Sequence, residues 1–162
     1  MSNEVIASNY PRCTWGPDTR RRRSTRVISL IRTLAVFDSA TFLIMSALHI
    51  GLRIPLGFAV MAEPRILPAT IVEGTCGVLF AIASYAFFTK RTWRWEAAVT
   101  AHIVAMGGVL LGMAALAAGR GPITESNTIY HRVILVVILA GLFLLTRRFV
   151  RWELKGRTPG QS

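Results

Sequence analysis

The chain has 162 residues, 52% of them hydrophobic, with a mean hydropathy of +0.47 and a formal net charge of +11. That length has room for one domain, and the apolar runs are too long for a soluble domain of this size. The charge alone would suit nucleic acid, but the basic residues sit in short blocks at the ends of apolar segments, so membrane topology explains them and no nucleic-acid partner is expected.

Only Lys90 and Lys155 among the 19 basic residues are not arginine, a usage associated with GC-rich genomes, and a bacterial source is expected. Cys13 lies in a polar stretch and Cys76 in an apolar one, with no C-x-x-C. Disulfide, redox-motif and zinc-finger readings therefore gain no support.

Residues 1–26, with Pro11, Gly16, Pro17 and the run Arg20–Arg23, read as a disordered basic cytoplasmic tail. A signal peptide is not expected, because Asp38 interrupts the following apolar segment and no A-x-A pattern follows it. Four transmembrane helices are predicted over 27–51, 69–89, 96–118 and 127–149, together one domain over 27–150. A second basic cytoplasmic tail follows over 151–162. A helix rises about 1.5 Å per residue, so each segment is long enough for roughly 30 Å of hydrocarbon.

Within residues 52–68, the stretch Ile54–Ala62 is apolar but far too short to span, and Pro55, Gly57, Pro64 and Pro68 would break a long helix. An interfacial or partly re-entrant segment between helices 1 and 2 is expected there. The fold class is thus all-α: an integral membrane four-helix bundle.

Orientation follows from charge. One side collects Arg12, the Arg20–Arg23 run, Arg26 and Arg32, then Lys90, Arg91 and Arg94, then Arg147, Arg148, Arg151, Lys155 and Arg157. The other side holds only Arg53, Arg65, Arg120 and Arg132. This asymmetry predicts N-in, C-in insertion in the cytoplasmic membrane, and Trp93, Trp95 and Trp152 fall at the inner interface as an aromatic belt would. The basic ends should hold anionic lipid headgroups, at about 1 kcal/mol per residue near the surface.

Small-residue stripes, Gly74, Gly77, Ala81 and Ser84 on the second helix and Gly108, Gly112, Ala115 and Gly119 on the third, suit close helix packing. They are read first as intramolecular contacts facing each other or the first and fourth helices, and second as a homodimer interface.

Ionisable side chains inside the membrane are costly and are functional candidates by default. His49, Glu73 and His131 all fall within roughly 10 Å of the outer boundary, on three helices, with Tyr130 and Arg132 beside the last. Asp38 lies about 16 Å deeper than His49 on nearly the same helix face, and His102 enters at a similar depth from the inner end. Asp38 and His102 are therefore an expected inner polar pair.

The outer cluster suits three kinds of cofactor. Two imidazoles and a carboxylate could bind a transition metal. His49 and His131 could be axial ligands of a b-type haem. All three could border a quinone and exchange its protons. The bland alternative is a set of interfacial side chains with satisfied hydrogen bonds. Met45, Met61, Met106 and Met113 read as gap-filling core. No nucleophile–base pair or phosphate loop is visible.

Residues 69–92 open a span with Ala-Thr-Ile-Val-Glu-Gly-Thr-Cys-Gly and close it with Thr-Lys-Arg. This resembles DoxX-type small membrane proteins. The late-span glycine of that family is matched by His49-Ile50-Gly51, while its lysine has no counterpart here. The resemblance implies an accessory subunit of a quinone-linked membrane oxidoreductase, with other redox subunits as partners, and carries over Glu73 alone. A non-catalytic membrane scaffold and a small transporter or channel component are the competing expectations.

Overall fold

The computed structural model describes residues 17–122 and 124–155. Residues 1–16 and 156–162, which hold most of both expected tails, lie outside the described residues. The described chain is helical apart from one small hairpin. Helix α1 is Pro17–His49, α2 Leu67–Phe88, α3 Arg94–Ala117, α4 Glu125–Thr146 and α5 Arg148–Leu154. Four segments are long and apolar enough to cross a membrane: Thr25–His49, Leu67–Phe88, Arg94–Ala117 and Glu125–Thr146.

Three of the four long helices stop in the same way. After α1, Leu52 N–H bonds to Ala47 O and Gly51 N–H to Leu48 O, at 3.0 and 2.8 Å, with Gly51 at φ +104°. After α3 the pattern repeats with Arg120 to Ala115, Gly119 to Leu116 and Gly119 at φ +68°. Both are Schellman closures, which satisfy helix-end carbonyls through a left-handed residue. After α2 the left-handed residue is Lys90, at φ +53°, where a Cβ is strained. At its start, α4 is capped by the Thr124 hydroxyl, which accepts from Asn127 N–H at 3.1 Å.

Two expected helix bounds are corrected. Helix α1 begins at Pro17, ten residues before the expected start, because proline suits a first helical turn and the arginine-rich stretch behind it has no Gly or Pro until Gly51. Helix α4 ends at Thr146 instead of continuing to 149: Arg147 turns to an extended conformation, and α5 starts anew. Within the expected interfacial or re-entrant 52–68 segment lies a hairpin that the sequence did not announce. Ile54–Pro55 (β1) pairs antiparallel with Val60–Met61 (β2) around a two-residue Gly57–Phe58 loop, with Gly57 at φ +83°. A glycine at the first loop position is what such a turn requires.

Sequential helices pack side by side, and α1 also touches α4 and α5. The small-residue stripes do not meet each other. Gly74 and Gly77 admit α1: a Cβ at Gly77 would stand 2.7 Å from Leu43 Cγ and 3.1 Å from the Leu43 backbone nitrogen. Ser39 donates to Gly77 O and Ser46 to Thr70 O across the same contact, at 3.0 and 2.9 Å. Gly108 admits Val72 of α2, whereas Gly107 and Gly119 have open space around them.

Helices α3 and α4 are keyed reciprocally. His131 of α4 sits over Gly112 of α3, and His102 of α3 over Gly141 of α4. At the opposite end from the hairpin, α5 buries Val150 and Leu154 and receives Arg94, which donates to the carbonyls of Glu153 and Leu154, both at 3.0 Å. Trp95 donates to Leu145 O at 3.1 Å, beneath Arg151 and Lys155.

Candidate functional site

The last turn of α1 and the first turns of α2 and α4 come together at the hairpin end, and His49, Glu73 and His131 all line one cavity there, of about 420 Å³. Its remaining wall is mostly aliphatic, including Val72, Leu111 and Leu116. Leu111 is also 64% exposed, so the cavity reaches the apolar outer flank of α3.

The histidine tautomers follow from their partners. A carbonyl only accepts, so His49 Nδ1 donates to Pro64 O at 2.9 Å and His131 Nδ1 donates to Asn127 O at 2.8 Å. Each neutral ring then carries its free lone pair on Nε2. His49 Nε2 stands 3.7 Å from Glu73 Oε2, both side chains buried, a separation too long for a direct hydrogen bond. Glu73 Oε2 and Asn127 Oδ1 have no hydrogen-bond partner.

The 52–66 loop straps this end. Glu63 accepts from the Ser126 hydroxyl at 2.7 Å and the Thr124 hydroxyl at 3.4 Å, both at the start of α4. Ile66 N–H bonds to His49 O at 3.2 Å. The hairpin tip is left outermost, with Phe58 92% exposed.

Three features were not singled out in the sequence: Asn127, the Glu63 strap, and the role of Gly112 as the seat of His131. The N-cap Thr124 was the available signal for Asn127. Nothing local announces a contact between Glu63 and Ser126.

His49, Glu73 and His131 share a cavity. Among the described residues no three His, Cys, Asp or Glu side chains are placed to hold one ion. His49 and Glu73 face each other, while the nearest approach to Gly112 is made by His131 Nε2.

The expected inner pair is not formed. Asp38 is fully buried, and neither of its oxygens has a partner. His102 instead donates from Nδ1 to Ala98 O at 2.7 Å and meets the Phe80 ring edge-on at 4.9 Å, and Phe80 in turn stacks on Phe42. Depth arithmetic fixes height along a helix. It does not fix which neighbour a side chain turns toward.

The chain matches no known protein family, no curated protein and no solved structure. The site's chemistry therefore rests on its own residues.

Proposed function

We propose that the protein is a multi-pass membrane protein, both termini cytoplasmic, whose hairpin-end cavity binds a lipid-soluble quinone-type ligand as part of a membrane redox system. The observation that carries this reading is the meeting of His49, Glu73 and His131, from three helices, on one cavity whose remaining wall is mostly aliphatic, with Arg120 and Asn127 its other polar residues. Ligand sites of about 300–1,000 Å³, mostly apolar with a few convergent polar groups, are typical for small organic molecules. The flank at Leu111 gives a membrane-dissolved molecule lateral access.

The chemistry suits a molecule that exchanges hydroxyl for carbonyl. With Nδ1–H pinned to a backbone carbonyl, neutral His49 and His131 present Nε2 as acceptors for quinol O–H groups. Once protonated, the same Nε2–H donates to a quinone carbonyl. Glu73 offers a second proton acceptor beside His49. Electrons would pass to or from a partner subunit, which is the accessory role that the DoxX resemblance implies. The charge asymmetry supports the N-in, C-in orientation.

The test is photolabelling of the detergent-purified protein with a short-chain azidoquinone, with mapping of the labelled peptides. Saturable labelling on α2 or α3 that falls at least tenfold in a His49→Ala, His131→Ala double variant is expected. Labelling that is unsaturable, or unchanged in the variant, refutes the reading. Elemental analysis of the same preparations separates the metal and haem alternatives: near-stoichiometric iron, copper or zinc, lost in the variant, would replace quinone by a metal centre. For orientation, a membrane-impermeant maleimide should label Phe58→Cys from outside the cell and Lys155→Cys only after lysis.

A further inference from the structure

The polar side chains that meet at the hairpin-end cavity have one property in common: they offer lone pairs. His49 and His131 each use Nδ1–H on a backbone carbonyl, Pro64 O at 2.9 Å and Asn127 O at 2.8 Å, so Nε2 of each neutral ring is an acceptor. Glu73 Oε2 and Asn127 Oδ1 are buried oxygens with no hydrogen-bond partner, and both residues line the same cavity. Among the described residues that line it, Arg120, exposed to solvent, is the one side chain that can only donate.

His49 Nε2 and Glu73 Oε2 face each other at 3.7 Å, with 1% and 8% of their side chains exposed. A proton shared between them would draw the two atoms to about 2.7–2.9 Å, the length of a charge-assisted hydrogen bond. At the observed separation both keep their lone pairs free. Buried acceptors without a donor are costly, so this wall is complete only when a ligand brings the missing hydrogens. The Arg120 guanidinium argues against a cationic donor such as an ammonium. The aliphatic remainder, with Val72, Leu111 and Leu116, suits a neutral ring.

We propose that the cavity is selective for the reduced, hydroxyl-bearing form of its ligand, a neutral quinol, and discriminates against the corresponding quinone. This rests on reading the cavity as a quinone-type site and names the form that it holds. A quinol brings two O–H donors to a wall of acceptors. A quinone of the same shape brings two carbonyls, which only accept, and leaves Nε2 of both neutral rings and Glu73 Oε2 unpaired. Sites built to pair with a hydroxyl reject the analogue that lacks it, so a preference of about tenfold or more is expected. Holding the reduced form tenfold more tightly raises the potential of the bound two-electron couple by about 30 mV.

The test is competition binding to the full-length protein, purified in detergent and kept anaerobic at neutral pH. A tritiated short-chain benzoquinol is displaced by the same unlabelled quinol, by its quinone, and by its dimethyl ether, which keeps the ring and tail but has no O–H. The quinol should displace the label at a concentration at least tenfold lower than either the quinone or the ether. In Glu73→Gln one acceptor-only position gains an N–H that can donate to a carbonyl, and the preference for quinol should shrink several-fold.

Equal displacement by quinol and quinone would overturn the selectivity and leave the cavity standing as a quinone-type site. Displacement by the ether as strong as by the quinol would overturn it too, because shape and not O–H donation would then decide. A quinol preference unchanged in Glu73→Gln would overturn the acceptor wall as its cause. Absence of saturable binding for both tritiated quinol and tritiated quinone would remove the ligand reading itself, and the selectivity with it.

Discussion

Replacing Gly112 by alanine tests the geometry of the cavity directly. The new Cβ would stand 2.7 Å from His131 Nε2 and 3.4 Å from its Cδ2. The ring must retreat by roughly 1 Å to regain ordinary van der Waals separation. That retreat strains or breaks the bond from Nδ1 to Asn127 O, now 2.8 Å long. The overpacking costs about 1–3 kcal/mol, and the lost hydrogen bond about 0.5–1.5 kcal/mol. Exchanging glycine for alanine inside a helix returns about 1 kcal/mol.

The net expectation is a destabilisation of about 1–2 kcal/mol. In a His131→Ala background the obstacle is gone, and Gly112→Ala should become neutral or stabilising. A double-mutant cycle, read by equilibrium unfolding in mixed detergent micelles, should give a coupling energy of about 2 kcal/mol. Additive effects, with a coupling below roughly 0.5 kcal/mol, would refute the seating of His131 on Gly112.

Three further outcomes are expected. Lys90→Gly should stabilise the chain by about 1 kcal/mol in the same unfolding assay, because the left-handed conformation at φ +53° penalises a Cβ. Glu63→Ala should release the 52–66 loop from Ser126 and Thr124, raising its amide hydrogen exchange several-fold while α2 and α3 keep their protection. Trp95→Phe removes the bond to Leu145 O and weakens the surface beneath Arg151 and Lys155. A cost of about 1–2 kcal/mol, with α5 becoming protease-sensitive, is expected, and an α5 as resistant as in the wild type would argue against its docking on Trp95.

The long helices were legible because each is an apolar run of membrane length, a signal that survives uncertainty at its ends. The convergence of His49, Glu73 and His131 on one cavity also follows from sequence, since three residues at equal height on neighbouring helices have few places to go. The hairpin was not legible. Pro55 and Gly57 read as helix breakers, and nothing in two-residue strands announces pairing. Asp38 and His102 share a height yet are not joined, because azimuth depends on contacts such as Ser39 with Gly77 that lie far apart in sequence. The Glu63 strap was hidden for the same reason: its partners Thr124 and Ser126 are remote along the chain.

The exchange of imidazoles between α3 and α4 bears on how the molecule moves. His102 and Gly112 on one helix, and Gly141 and His131 on the other, set two pins and two slots about 15 Å apart. Sliding one helix past the other by a single turn would drive at least one of the two rings into a side chain that carries a Cβ: His102 would meet Val137 in one direction and Leu145 in the other. The pair is therefore locked in register at two heights and travels as one rigid body. Breathing of the cavity is left to its other walls, α2 and the strapped 52–66 loop, so the rate at which a bound molecule leaves should follow the mobility of that loop.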